Sequence, residues 1–167
     1  MDKSDYIRLR DRFTPENPTV IFILESPPAS GLYFYNPDGK TTEPLFKAMM
    51  KDVLGKFPST KEEGLQDFAA KGYLIIDATY TPVNNLGDPE ADAIIVRDFL
   101  QLLEELRAHA QPSTKIVLVK TNICRLLEKR LDEEGFRVLN GGVTIPFPST
   151  GQQSKFREKI QRVLWDT

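Results

Sequence analysis

Thr19-Val20-Ile21-Phe22-Ile23-Leu24 (TVIFIL) is an unbroken apolar run that stops in Glu25-Ser26-Pro27-Pro28-Ala29-Ser30-Gly31 (ESPPASG). A strand with no polar alternation is covered on both faces, which is the habit of a parallel sheet. Tyr73 to Ile76 (YLII), ending at Asp77, and Lys115 to Val119 (KIVLV) repeat the pattern, and Phe136 to Leu139 is a candidate fourth strand. Helical spacing fills the intervals. Pro44 opens a segment with Leu45, Phe46, Met49, Met50 and Val53 on one stripe, stopped by Gly55. Leu65, Phe68 and Ala69 make a short helix before Gly72. Asp88 and Pro89 supply an N-cap and a first-turn proline for one stripe running through Ile94, Ile95, Phe99, Leu102, Leu103 and Leu106. Ile123, Leu126, Leu127 and Leu131 mark a further helix ending at Gly135. The last is expected to follow Ser149, with Gln152 completing a capping box. Strands alternating with helices predict a three-layer α/β/α fold around a central, mostly parallel four-stranded sheet.

With 167 residues, 40% hydrophobic and 28% charged, the chain has the size and composition of a single domain spanning 1–167. Val20 to Leu24 is far too short an apolar run to span a bilayer, and Met1 to Asp5 is polar, so no membrane partner and a cytoplasmic location are expected. A monomer is expected. One cysteine, Cys124, and one histidine, His109, leave no disulfide and no cluster of the usual zinc ligands, so neither metal nor cofactor is expected. Cys124 lies in an apolar helical stretch and reads as a buried small hydrophobe, and His109 reads as an exposed helix-end residue. The net charge of -2 gives no global attraction to a polyanion, so a nucleic-acid partner requires a local basic face. Lys155, Arg157, Lys159 and Arg162 offer one, and equally fit a solvated helix surface.

Open parallel sheets bind ligands beyond the carboxyl ends of their strands. The loops to inspect are therefore Glu25 to Tyr35, Asp77 to Asn85, Lys120 to Asn122 and Pro146 to Gln153. None contains a glycine-rich dinucleotide fingerprint or a phosphate-binding P-loop. Read in order, they resemble the active-site segments of the uracil-DNA glycosylase superfamily from Val20 to Trp165. Leu24-Glu25-Ser26-Pro27-Pro28 resembles the family's first motif, written G-Q-D-P-Y or G-E-A-P-G. Gly31-Leu32-Tyr33-Phe34 resembles its G-L-C-F segment. Phe68 to Thr81, FAAKGYLIIDATYT, is similar to W-A-x-Q-G-V-L-L-L-N-A-x-L-T, and Phe147-Pro148-Ser149-Thr150 echoes H-P-S-P.

The resemblance implies a divergent DNA glycosylase that hydrolyses the N-glycosidic bond of a modified or mispaired base, with DNA as partner. A flipped base has to be stacked and read at its edge. Phe34 falls on the stacking position, with Tyr33 beside it as the other possible stacking face, and Asp77 falls on the base-reading asparagine. Glu25 falls on a water-positioning carboxylate in one family pattern, whereas Ser26 occupies that place in the other. Phe147 falls on the catalytic histidine and cannot donate a hydrogen bond. Ser149, Thr150 and Gln152, or amides at the helix start, are the candidates to replace that donor. Ser26, Thr150, Gly151, Gln152 and Lys155 are the candidates for DNA-backbone contact.

Plain structural roles stand beside these: Glu25 and Asp77 bonding loop amides at strand ends, Phe34 packing in the core, Ser149 capping a helix. An ionised aspartate only accepts hydrogen bonds, so Asp77 is expected to disfavour a uracil carbonyl and to favour an amine or ring NH. If buried, it should have a raised pKa or pair with a base such as Lys120. Ser26, Phe147 and the acidic balance equally fit a non-catalytic module of the same fold that binds nucleic acid, a nucleotide or a protein.

Overall fold

The fold is seen in a computed structural model that describes residues 1–165. Four parallel strands, β1 (Val20–Leu24), β2 (Tyr73–Asp77), β3 (Lys115–Leu118) and β4 (Arg137–Val138), lie in the order β2-β1-β3-β4. All five residues of both β1 and β2 are buried, as their unbroken apolar runs require. The expected α/β/α class is therefore what the chain adopts, with every strand pairing parallel.

Seven α-helices flank the sheet among the described residues: α1 (Lys3–Asp11), α2 (Pro44–Ala48), α3 (Lys61–Ala70), α4 (Asp88–Arg97), α5 (Phe99–His109), α6 (Thr121–Glu133) and α7 (Gln153–Trp165). α3 packs on β2 and, with α7, on a π-helical turn (Met49–Leu54) that prolongs α2. α5 packs on β2, α6 on β3 and β4, and α4 joins α5 to α6. None of these helices is long and apolar enough to cross a membrane.

Several expected details change. α1 went unread, although Asp2 and Asp5 form a reciprocal capping box there. The stripe from Ile94 to Leu106 is two helices broken at Asp98, whose carboxylate accepts from Thr79 Oγ1 and Arg97. Gly87, not Asp88, is the N-cap of α4. The capping box at Ser149 does not form, because Ser149 uses its carbonyl to accept the Gln152 amide in a turn and α7 begins only at Gln153. His109 is half-buried rather than exposed, whereas Cys124 is buried as expected.

β2 is an edge strand, and its Ile75 amide donates to the Tyr35 hydroxyl at 2.8 Å inside the core. Tyr35→Phe therefore orphans a buried amide and is expected to cost about 1–3 kcal/mol. Urea unfolding measures the loss, and amide exchange at Ile75 should accelerate more than at its neighbours in β2.

Candidate functional site

β1 and β2 end side by side, with Leu24 in register with Asp77, and the chain leaves both into polar loops. The two exits are stitched together. Ala78 N–H donates to Leu24 O and Thr79 N–H to Glu25 O, while Val83 N–H donates to the Ser26 hydroxyl and Ala29 N–H to Asn84 Oδ1. Between these loops, the start of α2 and the start of α6 lies a cavity of about 260 Å³. Glu25, Ser26, Tyr33, Phe34, Asp77 and Phe147 all line it. Ser149, Thr150, Gly151, Gln152 and Lys155 do not. Ser149, Thr150, Gly151 and Lys155 are exposed and Gln152 is half-buried, so none of them replaces a missing donor inside the cavity.

Glu25 is 7% exposed, and each of its carboxylate oxygens accepts one hydrogen bond. Lys120 Nζ donates to Oε1, and Asn122 Nδ2 donates to Oε2 at 2.6 Å. The carboxylate also sits at the N-terminus of α6, where the first-turn amides favour negative charge. These contacts come from β3's exit rather than from loop amides. Lys120 adopts φ 91°, the one positive φ outside glycine among the described residues. Its amide is tied to Ile145 O at 2.7 Å and its carbonyl accepts from Cys124, so the backbone is held on both sides. Strain of this kind, about 1–3 kcal/mol, persists only where surrounding contacts over-determine it. Here it accompanies an ammonium that reaches the cavity wall.

Asp77 lies across the cavity, 5% exposed, and no hydrogen bond from the described residues reaches its carboxyl. Burial, opposed by Arg10 and reinforced by Glu105 and Glu25, pushes its pKa up to about 7. Lys120 was the expected counter-charge for Asp77, but its ammonium goes to Glu25, and the raised-pKa alternative holds instead. The cation nearest in effect, Arg10, is also committed: its Nη1 donates to Tyr80 Oη at 2.8 Å and Glu105 Oε1 at 3.0 Å.

The aromatic wall is buried and packed ring against ring. Phe34 is 4% exposed and packs edge-on against Tyr35 and Phe68, so it lines the cavity as part of the core. Tyr33 meets Tyr6 edge-on at 4.9 Å, and its phenol is driven to a much higher pKa by burial. Lys61 fixes this corner from behind, donating to Tyr33 O and Glu43 Oε1, each at 2.9 Å. No family model, curated protein or solved structure matches the chain.

The expected residues therefore divide: the strand-end residues and the aromatics Tyr33, Phe34 and Phe147 converge, and those from Ser149 to Lys155 stay apart. From sequence, Lys120 stands out only as a partner for Asp77, and Asn122 and Arg10 carry no visible role. Lys120 and Asn122 occupy the exit of β3, a strand end already marked for inspection, so their position was a usable signal. Among the described residues no three His, Cys, Asp or Glu side chains come together as metal ligands.

Proposed function

We propose that this chain is a divergent DNA glycosylase, a relative of the uracil-DNA glycosylase superfamily acting on a modified or mispaired base. The observation that carries the reading is the Glu25 carboxylate, anchored by Lys120 and Asn122 on the wall of an aromatic-lined cavity at the strand ends. In this reaction water forms a bond to C1′ as the C1′–N bond breaks, the bonding pair leaves with the base, and the proton that the water loses balances the one the base takes up. A preorganised carboxylate stabilises the cationic sugar and orients the water. The departing base needs a donor, and Phe147 offers none. Lys120 Nζ, already on the cavity wall, takes that place. The exposed turn from Ser149 to Gly151, Gln152 and Lys155 at the start of α7 would hold phosphate through amides and charge.

Oligonucleotides carrying uracil, hypoxanthine or mismatched normal bases, cleaved by alkali after incubation, test the reaction. Excision of at least one is expected, and Glu25→Gln should slow it about a hundredfold to a thousandfold. No scission of any substrate at enzyme excess refutes the reading.

The placement of Phe147 in the lining and of Ser149 outside it favours a second reading, a non-catalytic nucleic-acid-binding module. A salt-sensitive shift in DNA mobility without scission identifies that case.

A further inference from the structure

We propose that Asp77 is the group that reads the ligand's edge, and that it does so as an undissociated acid, its hydroxyl donating and its carbonyl accepting. The cavity then takes a heterocycle whose edge sets one acceptor beside one donor, and disfavours an edge with two donors. The inference rests on the base-binding reading above and corrects the expectation that an acceptor-only aspartate stands at this position.

The geometry supplies the argument. The carboxyl ends β2, lies on the lining of a cavity of about 260 Å³, and receives no hydrogen bond from the described residues. A carboxyl that faces a cavity with no protein partner is left for whatever fills that cavity to complete. Every charge around it acts on its protonation. Glu25, next to β1 at its carboxyl end, is a like charge paired with Lys120 and hydrogen-bonded by Asn122. Glu105, on α5, is a second like charge. Arg10, on α1, is the opposing cation, but its guanidinium is held by Tyr80 and Glu105, and its Nε finds no acceptor, Asp77 included.

The remaining titratable neighbours are phenols. Tyr6, Tyr33, Tyr35 and Tyr80 are all held neutral by burial in the presence of Asp77. No ammonium bonds the Asp77 carboxyl, so burial decides and the neutral form prevails up to about pH 7. In that form the side chain has the hydrogen-bonding pattern of a primary amide, one donor and one acceptor. Two common edges match it: the lactam, N–H beside C=O, and the amino-imine, N–H beside a ring nitrogen.

Calorimetric titration with single-ring probes separates the possibilities. 1-Methyluracil presents the lactam edge, 1-methylcytosine the amino-imine edge, and 1,3-dimethyluracil neither; benzamidinium presents two donors. Binding of 1-methyluracil or 1-methylcytosine is expected at about pH 5.5, and the probe that binds names the edge. Its affinity should fall about a hundredfold by about pH 9, as Asp77 ionises, and benzamidinium should gain over the same interval. In Asp77→Asn, which keeps one donor and one acceptor at all pH, the same probe should bind with no such decline.

A pH-independent affinity in the wild type, equal binding of 1,3-dimethyluracil, or no binding of either monomethylated probe overturns the inference. Base excision from DNA with pH-independent probe binding would refute this inference alone. Probe binding with the expected profile and no excision would refute the glycosylase reading alone.

Discussion

Lys61→Met is expected to lower the stability of the domain by about 3–5 kcal/mol, the usual penalty when one partner of a buried ion pair is removed. The Lys61 side chain is fully buried and that of Glu43 is 9% exposed. Burial pulls the lysine pKa down, and the hydrogen bond and charge of Glu43 oppose that shift. Methionine matches the length of the aliphatic stem but leaves Glu43 Oε1 without a cation and Tyr33 O without a donor. The other carboxylate oxygen accepts only from the Lys40 amide at 2.7 Å, which does not compensate the charge.

Urea unfolding of the wild type, Lys61→Met and the double variant Lys61→Met with Glu43→Gln measures the effect. The double variant should recover a large part of the loss, because the uncompensated charge is gone. A single-variant loss within about 1 kcal/mol, the range of exposed pairs such as Arg12–Glu62, would show that the pair contributes little. The consequence for the site is direct: Lys61 ties the Tyr33–Phe34 wall to the start of α2, so its loss loosens one side of the cavity.

What could be read in advance follows from how locally each feature is determined. β1, β2 and β3 were legible because burial on both faces forces an apolar run, and few other structures ask for one. The position of Glu25 and Asp77 on the cavity wall was legible for the same reason, since a polar residue closing such a run must lie at the mouth of the sheet. α1 was not, because its buried face mixes Tyr6 with Arg10, and a buried arginine counts as polar in any periodicity. The break at Asp98 was hidden because the apolar stripe resumes on the far side in usable phase, with Leu102, Leu103 and Leu106 buried as Ile95 is.

Pairing at the site was the least local property. Whether Lys120 meets Asp77 or Glu25 depends on a backbone held at φ 91° by Ile145 and Cys124, and neither contact leaves a mark in the neighbouring residue types. The turn from Phe147 to Gln152 likewise looked like a helix start. The Ser149 and Gln152 amides are spent within the turn, on Phe147 O and Ser149 O, which delays α7 and leaves Ser149 outside the cavity.

The acid at the end of β2 gives the largest expected dependence of stability on pH. A pKa raised from the ordinary 3.8 to about 7 means the folded state binds more protons than the unfolded state between those values. The stabilising contribution of Asp77 is therefore fully present below about pH 4 and is lost as pH rises through about 7, the reverse of a salt-bridged carboxylate. The shift is worth on the order of 4 kcal/mol. Asp77→Asn replaces the acid by a neutral group of the same shape and removes this dependence. The variant should match the wild type near about pH 4 and exceed it by a few kcal/mol at about pH 9. Unfolding midpoints of both proteins across that range decide the matter: the difference should open between about pH 4 and 7 and then level off. Parallel curves would mean that Asp77 ionises in the folded protein near its ordinary pKa, and the donor role assigned to it in the cavity would fall with that result.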